Sequence, residues 1–257
     1  NYLEVAKLLF SVKPDINISA DNDYAFKSAC EKGHLKVAQW LLSIKPDINI
    51  SAEDDYIFKY ACKNGHLEVA KLLLPLKSDI DISVDNDFTF KYVCENGHLY
   101  VAKWLLSVKS DIDISSDDEY AFRMACSYNY LEVAKWLLSV KPDIDISSEK
   151  EYAFRIACGY GHLEVAKWLL SLKPDINISA DNNYAFKYAC ENGYLKVIKW
   201  LFSMKPDINI TEDEENNEDF IFASFDTDGN MFGRICRNGH LRVAQWLFSV
   251  KPDIDIS

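Results

Sequence analysis

The sequence contains little glycine and proline, with 9 and 7 of them among 257 residues. This scarcity excludes collagen-like and low-complexity chains, which depend on these two residues. The sequence also lacks a run of about eighteen apolar residues, so we predict no membrane span. It lacks the charged and then apolar opening of a signal peptide, and it does not begin with Met, which indicates a piece of a longer protein.

Basic residues are scarce as well, because 28 Lys and Arg face 40 Asp and Glu, for a net charge of −12. Binding to nucleic-acid phosphates requires clustered Lys and Arg, so we expect no nucleic-acid partner. The remaining composition, with 49% hydrophobic and 26% charged residues, is typical of a soluble globular protein.

Seven cysteines recur at a regular distance along the chain. They are Cys30, Cys62, Cys94, Cys126, Cys158, Cys190 and Cys236, so five successive spacings are 32 residues and the last is 46. A leucine follows each cysteine five residues later, and Leu3 marks one more copy that begins after its cysteine position. A fixed period of this size indicates a repeat architecture. We therefore predict about eight copies of one unit and not one or two ordinary domains.

The predicted array is a single repeat domain over residues 1–257. It begins with a half repeat, followed by full copies 1 to 6 and by copy 7, which contains a 14-residue insertion. The boundaries are 1–19 for the half repeat, 20–51, 52–83, 84–115, 116–147, 148–179 and 180–210 for copies 1 to 6, and 211–257 for copy 7. The insertion either precedes the first helix of copy 7 or interrupts it, and it is either a loop on the binding face or a disordered spacer.

The sequence pattern of each copy predicts a first (inner) helix, a tight turn and a second (outer) helix. In copy 6 a cluster of Asp and Asn precedes the inner helix, which is typical of an N-cap. Phe186 and Cys190, four residues apart, share one helix face, and Gly193 marks the end of that helix. A second apolar series begins at Leu195 and stops before Pro206, because proline cannot continue a helix. Helices of about ten residues are marginal alone, so we expect them to pack on neighbouring copies as an all-α solenoid.

The motif Gly-His-Leu-Glu-Val-Ala-Lys-Leu-Leu-Leu at 65–74, followed by Asp-Ile-Asp at 79–81, resembles the second helix and loop of an ankyrin repeat. Ala-Cys-Lys-Asn-Gly-His at 61–66 resembles the end of that family's first helix. The resemblance covers nearly the whole chain. It implies an ankyrin-type α-solenoid of stacked helix-turn-helix repeats joined by hairpin-like loops. These motifs are also similar to those of ankyrin repeat proteins of large DNA viruses that infect amoebae, which implies a viral protein in the host cytoplasm.

Two features depart from the ankyrin family pattern. The period is 32 residues where the family has 33. In place of Thr-Pro-Leu-His, copy 2 has Tyr-Ile-Phe-Lys at 56–59, and the other copies have its equivalents. Phenylalanine therefore takes the leucine core position, and the hydrogen bonds that Thr and His make in the family are in question for this chain.

The cysteines and histidines predict neither disulfides nor a metal site. Stacked helices lie about 8–10 Å apart and a disulfide needs Cα atoms within about 7 Å, so each cysteine is interpreted as a small buried apolar residue. Histidine often follows the cysteine by four residues, as in Cys62 and His66, but such pairs in separate copies cannot complete the four ligands of zinc. Tyr130 and Tyr194 replace that histidine in two copies. Free thiols indicate a reducing, intracellular compartment.

Acidic residues precede the inner helix in several copies. A row of like charge at one edge would attract a basic protein partner. The alternative is that these residues cap helices and keep the edge soluble, with part of the row neutralised by a ladder of Lys and Arg on the inner helices. The acidic candidates for partner binding are Asp54, Asp55, Asp87, Asp118 and Glu119, and the ladder is Lys27, Lys59, Lys91, Arg123, Arg155 and Lys187.

Copies 4 and 5 differ from the others on one face of the inner helix. Three copies pair a tyrosine with an asparagine four residues later, as in Tyr60 and Asn64. Because tyrosine is enriched among interface hot spots, the replacements predict a local partner-binding patch, with ordinary packing between the two copies as the alternative. The replacing residues are Met124 with Tyr128 in copy 4 and Ile156 with Tyr160 in copy 5.

Six tryptophans form a stripe on the outer helices. An aromatic stripe at helical spacing is more typical of packing between repeats than of a binding strip. The tryptophans are Trp40, Trp104, Trp136, Trp168, Trp200 and Trp246.

Taken together, these patterns predict a monomeric, non-enzymatic scaffold that presents a concave repeat surface to a protein partner. No catalytic residue and no cofactor or metal site is expected, because the His and Cys positions recur as structural positions of the repeat. Two alternatives stay open: a substrate-receptor adaptor for a ubiquitin ligase, which would need a module outside this sequence, and a purely structural spacer.

Overall fold

A computed structural model of the chain describes residues 2–48, 50, 52–76, 80, 82, 84–208 and 231–252. All regular secondary structure in these residues is helical, which confirms the predicted all-α class. None of the helices in these ranges combines the length and the apolar character that crossing a membrane requires.

The helices alternate between outer and inner positions of successive copies. In chain order they are α1 (Tyr2–Val12), α2 (Ala20–Glu31), α3 (Leu35–Ile44), α4 (Ala52–Lys63), α5 (Leu67–Leu73), α6 (Val84–Glu95), α7 (Leu99–Val108), α8 (Ser116–Ser127), α9 (Leu131–Val140), α10 (Ser148–Gly159), α11 (Leu163–Leu172), α12 (Ala180–Glu191), α13 (Leu195–Met204), α14 (Met231–Arg237) and α15 (Leu241–Val250). Even numbers are inner helices and odd numbers are outer helices. Helix α5 is shorter than its equivalents, because Pro75 cannot continue an α-helix, and a 3₁₀ turn follows at Leu74–Leu76.

The turn between the two helices of a copy has a Schellman geometry at its glycine. In copy 2 the Gly65 amide donates to the Cys62 carbonyl at 2.9 Å, and the His66 amide donates to the Ala61 carbonyl at 2.8 Å. These bonds satisfy carbonyls at the end of α4 that the helix itself leaves without donors. The predicted stop of the inner helix at this position is confirmed. Asn129 takes the same left-handed conformation in copy 4, with φ of 66°.

The Asp- and Asn-rich cluster before the inner helix differs from the expected N-cap. In copy 4 it forms a left-handed turn, in which Asp117, Asp118 and Glu119 have φ values of 52°, 53° and 65°. The Glu119 amide closes this turn by donating to the Ser115 carbonyl at 3.1 Å. Copies 5 and 6 repeat the same three-residue conformation. Left-handed backbone costs most residues about 1–2 kcal/mol, and after glycine Asp and Asn tolerate it best, which suits the Asp and Asn of copies 4 and 6 but not the Glu-Lys-Glu of copy 5.

Stacked copies form two compact units, one of residues 1–121 and 135–141 and the other of residues 122–134 and 142–257. In the first unit α4 packs on α2 and α6, and in the second α12 packs on α10 and α14. The centre of each unit is a series of fully buried phenylalanines, one from each inner helix of copies 1 to 6: Phe26, Phe58, Phe90, Phe122, Phe154 and Phe186. The leucine core position of the ankyrin pattern is therefore a phenylalanine core position here.

The tryptophan stripe packs between copies, as predicted. In the first unit the ring of Trp104, on α7, lies 6.3 Å from the ring of Phe58, on α4 of the preceding copy. In the second unit the rings of Trp200 and Phe154 lie 6.2 Å apart in the same relation. A copy therefore uses its tryptophan to close the phenylalanine core of the copy before it.

Six of the seven cysteines are buried free thiols in the core, as predicted. Burial raises the pKa of the Cys30 thiol to about 12, so it stays protonated and behaves as an apolar side chain. The prediction is wrong for Cys236, which is exposed on α14. Residues 209–230, which contain the insertion, lie outside the described residues, and the position of the insertion stays a prediction.

Candidate functional site

The acidic candidates divide into exposed and buried residues. Asp118 is exposed, whereas Asp55, Asp87 and Glu119, at the third position of the left-handed turn, are buried. The Asp54 side chain lies outside the described residues. Burial of the third carboxylate has a structural reason in copy 3, where Asp87 Oδ2 accepts a hydrogen bond from the Asp113 amide, in the loop that ends the same copy, at 3.1 Å. The expected row of exposed carboxylates is therefore interrupted at these three positions.

The Lys and Arg ladder lies beside this turn and is largely buried. The Lys91 ammonium pairs with Asp117 of the following copy. In the second unit Arg155 Nη1 pairs with Asp181 Oδ2 at 2.5 Å, and the guanidinium carbon lies 5.0 Å from the ring centre of Tyr184. Each such cation neutralises a carboxylate and covers an aromatic face of the next copy. Tyr184 stands at the Thr position of the ankyrin motif and Arg155 at its His position, so these contacts lie where the family has Thr and His.

The four candidate residues in copies 4 and 5 also divide into buried and exposed side chains. Met124 and Ile156 are each only 8% exposed, so they contribute packing beneath the surface and little area to a partner. Tyr128 and Tyr160, one turn further along, are 50% and 38% exposed. The structure thus leaves two adjacent tyrosines at the ends of α8 and α10 as the accessible part of the predicted patch.

Copies 2 and 7 use the same position to join neighbouring copies. In copy 2 Asn64 Nδ2 donates to the Glu31 carbonyl of the preceding copy at 3.0 Å, and in copy 7 Asn238 Nδ2 donates to the Glu191 carbonyl at 2.9 Å. A tyrosine has no amide group to make this bond. Copies 4 and 5 therefore lack the amide contact that copies 2 and 7 make at this position.

The phenols of the second unit form a connected group. Tyr160 and Tyr188 meet edge to face with ring centres 5.8 Å apart and share a side-chain hydrogen bond. A Cβ atom at Gly159 would lie 2.6 Å from Cδ1 of Tyr188, so glycine is needed there for the ring to fit. Burial, with Tyr160 beside it, raises the pKa of Tyr188 to about 12. Burial also raises the pKa of Tyr152, although the charge of Arg123 opposes the shift. At neutral pH these hydroxyls are protonated and can donate hydrogen bonds.

The histidines and tyrosines four residues after the cysteines pack at the turns between helices. The His98 ring covers Gly65 of the preceding copy, and the Tyr194 ring covers Gly161. Burial, with the neighbouring charge of His66, lowers the pKa of His98, and a backbone hydrogen bond at Lys63 partly opposes this shift. No group of three metal-ligating side chains occurs among the described residues.

Sequence reasoning did not select Tyr130 and Tyr194 as surface residues. They are 38% and 37% exposed, close to the value for Tyr160. The sequence did distinguish these two residues, because both stand where five other copies have histidine. It was interpreted as evidence against metal binding and not as a further tyrosine at the same edge.

Comparisons with known proteins identify the repeat. Family profiles described as "Ankyrin repeats (3 copies)" match residues 1–86, 28–118, 58–150 and 122–212, and a profile described as "Ankyrin repeats (many copies)" matches 186–248. The crystal structure of the human ASB11 ankyrin repeat domain is similar with a TM-score of 0.55, at 16% sequence identity, over 83% of this chain and 96% of that chain. A likeness at this identity concerns the fold alone. No curated protein matches the sequence.

Proposed function

The chain belongs to the ankyrin repeat family, and from that premise we propose that it is a non-enzymatic scaffold that binds a protein partner through the inner-helix ends of copies 4 and 5. Binding of protein partners is what ankyrin repeats generally do. The observation that carries the location is the exposure of Tyr128 and Tyr160 at positions where copies 2, 3, 6 and 7 have asparagine.

Energetic reasoning supports these two residues as anchors of the interface. Their helices are held in place by buried Phe122 and Phe154 and by the thiols beside them, so little ordering cost accompanies binding. Tyrosine at an interface centre can contribute about 2 kcal/mol or more. Met124 and Ile156 belong to the patch as buried supports, and among the acidic candidates whose side chains the structure describes Asp118 is exposed.

Several further properties belong to the same proposal. The partner carries a basic surface, because the chain has a net charge of −12, and the scaffold acts as a monomer without a cofactor. Seven free thiols support a reducing compartment inside the cell. The similarity of the motifs to amoebal virus proteins supports the host cytoplasm as that compartment. A non-enzymatic role is supported by the structural use of His98 and Cys62 within the stack.

Site-specific photo-crosslinking tests the location. A benzophenone amino acid replaces Tyr128 or Tyr160 in the intact chain, and the matched control replaces Tyr100, which is also exposed but lies on α7 in the other unit. We expect both patch positions to crosslink one and the same protein in a host lysate and the Tyr100 position not to do so. Crosslinks that are equal at all three positions, or absent from both patch positions, would contradict the proposal. The second result would favour a structural spacer.

A substrate-receptor role in a ubiquitin ligase is the main variant of this function. It would use the same patch for the substrate and a separate module, outside this chain, for the ligase. The crosslinked protein distinguishes the two, because a substrate of such an adaptor would gain ubiquitin when the full-length protein is expressed, and a stable scaffold partner would not.

A further inference from the structure

Copies 6 and 7 carry an excess of basic residues, unlike the chain as a whole. Their described residues, 180–208 and 231–252, contain eight Lys and Arg against three Asp and Glu. Three of these cations are exposed on the two outer helices, Lys196 and Lys199 on α13 and Arg242 on α15. Neither of these two helices contains an acidic residue. We call the three cations the basic edge.

The helices that carry the basic edge lie side by side. The ring of Trp246, on α15, meets the ring of Phe202, on α13, edge to face with ring centres 5.2 Å apart. Lys196 and Arg242 each follow the turn glycine of their copy by three residues, so the backbones that carry them are about 8–10 Å apart, as in other packed helices. Lys199 is one turn from Lys196 on the same helix face. The three side chains therefore form one cluster at one level of the stack.

Four other outer helices have a glutamate at the position of Lys196 and Arg242. An acid in the first turn suits the helix dipole, whereas a cation there is opposed by it. The glutamates are also neutralised along their own helices, as in copy 2, where Glu68 Oε1 lies 2.9 Å from Lys71 Nζ. Helix stability therefore does not explain the cations of copies 6 and 7, and such a departure from a local rule is expected at functional positions. The four glutamates are Glu4, Glu68, Glu132 and Glu164.

The acidic side chains in the described part of copies 6 and 7 are used elsewhere. Glu191 Oε1 accepts a hydrogen bond from Arg234 Nε at 2.7 Å, and Asp181 pairs with Arg155. Asp207 lies beyond the last residue of α13, whereas the basic edge is in the first two turns of the outer helices. None of its three side chains has an ion pair with another described residue. Within the described residues the basic edge is therefore a positively charged surface without a counter-charge.

The basic edge is two copies wide. In copy 5 the equivalent position is Glu164, whose Oε1 lies 3.5 Å from Lys167 Nζ in an exposed, neutral pair. A long polyanion, such as a nucleic acid or an anionic membrane, would gain no further net charge from that copy. Tyr194 and Leu241, beside the start of the same two outer helices, are 37% and 66% exposed and add a phenol and an apolar side chain to the cations. This extent suits a short anionic ligand with some apolar character.

We propose that the basic edge binds a short protein segment rich in Asp and Glu. Carboxylates pair with the two ammonium groups and accept paired hydrogen bonds from the planar guanidinium of Arg242, and the Tyr194 phenol can donate a hydrogen bond to them. About three extended residues span the distance between the two helices. The surface is separate from Tyr128 and Tyr160 and attracts the opposite charge, so the inference goes beyond the proposed function.

Peptide binding to the intact chain tests the inference. The probes are fluorescent twelve-residue peptides of alternating Glu and Gly or of alternating Lys and Gly, measured by anisotropy at low and at physiological salt. We expect the Glu-Gly peptide to bind about fivefold or more tightly than the Lys-Gly peptide, with an affinity that falls as salt rises. A labelled twelve-nucleotide oligothymidylate and phosphatidylserine vesicles are the other anionic probes, and we expect both to bind more weakly than the Glu-Gly peptide at the same salt.

Substitutions then locate the binding. Lys196→Glu gives copy 6 the Glu and Lys spacing of copy 2, and Arg242→Glu gives copy 7 the same first-turn acid. Both changes suit the helix dipole, so an unchanged or raised urea midpoint is expected. The double variant should weaken Glu-Gly binding about tenfold or more. The matched control is Lys36→Glu at the same exposed position of copy 1, where the neighbouring copies have Glu4 and Glu68, and it should leave binding unchanged.

Three outcomes would overturn the inference: equal binding of the Glu-Gly and Lys-Gly peptides, equal effects of the double variant and Lys36→Glu, or tighter binding of the oligonucleotide or the vesicles than of the Glu-Gly peptide. Crosslinking at Tyr128 and Tyr160 does not involve the basic edge, so failure of either result leaves the other standing.

The acidic residues of the insertion are the competing occupant. They are removed by Glu212→Gln, Asp213→Asn, Glu214→Gln and Glu215→Gln in one chain. Equal affinity for the Glu-Gly peptide with and without these substitutions supports a separate protein as the occupant. Glu-Gly binding that occurs only in the substituted chain would overturn the inference, because the basic edge would then bind this chain's own carboxylates.

Discussion

Gly161 offers a quantitative check of how the copies are joined. Its φ is +82°, and a Cβ would lie 2.7 Å from both Cε1 and Cγ of Tyr194. Gly239 is the matched control, because it has a φ of +74° at the same position in copy 7 with nothing within 4 Å of a Cβ. Gly161→Ala therefore meets a backbone penalty and a ring, whereas Gly239→Ala meets the backbone penalty alone.

The expected magnitudes follow from these two contributions. Alanine in a left-handed conformation costs about 1–2 kcal/mol, and displacing a packed ring costs about a further 1–3 kcal/mol. Gly161→Ala should lower the free energy of unfolding by about 2–5 kcal/mol, and Gly239→Ala by about 1–2 kcal/mol. In a Tyr194→Ala background the cost of Gly161→Ala should fall to the Gly239 value, since the ring is no longer present.

Urea unfolding followed by circular dichroism measures these differences, and amide hydrogen exchange at the turn shows whether the loss is local. The reasoning fails if Gly161→Ala and Gly239→Ala lower stability equally. It also fails if removing the Tyr194 ring leaves the cost of Gly161→Ala unchanged, because the ring would then not be the reason for glycine.

Three further predictions concern the core and its charges. Arg155→Met should cost about 3–5 kcal/mol of stability in urea, because it leaves the Asp181 carboxylate, nearly buried, without its cation. Acidification should destabilise the protein as pH falls below about 6.5, since the lowered pKa of His98 means that the unfolded chain binds more protons there than the native one. His98→Tyr should make that loss shallower when urea midpoints are compared at pH 5.5 and 7.5. A thiol-reactive dye at neutral pH should label Cys236 rapidly and the six buried thiols only on unfolding.

Each of these has a result that would count against it. Equal stability of Arg155→Met and the unmodified chain would mean that the ion pair is not needed. An identical pH profile for His98→Tyr would assign acid sensitivity to the carboxylates alone. Rapid labelling of two or more thiols in the folded protein would contradict the burial of the inner-helix cysteines.

The repeat period and the order of helices were predictable from the sequence, because both depend on local rules that recur in every copy. Apolar spacing sets the helix face, Gly65 and its equivalents end the inner helix, and Pro206 and its equivalents end the outer one. Seven cysteines at one position provided an internal alignment. The tryptophan stripe was interpreted correctly for the same reason, since a residue repeated in six copies must serve the contact that all copies share.

Which side chains are exposed on the surface was decided by the tertiary structure. Asp55 and Asp118 are alike in sequence, yet Asp55 is buried and Asp118 is exposed, because position within a left-handed turn determines which way a carboxylate points. Cys236 has the same local motif as Cys30 but is exposed on a seven-residue helix. Exposure at Tyr128 and Tyr160 depends on what the neighbouring copies place beside them. Local rules carry no information about these long-range neighbours, so the repeat and its helices were predictable from the sequence, whereas the exposure of the residues in the proposed patch depended on the stack.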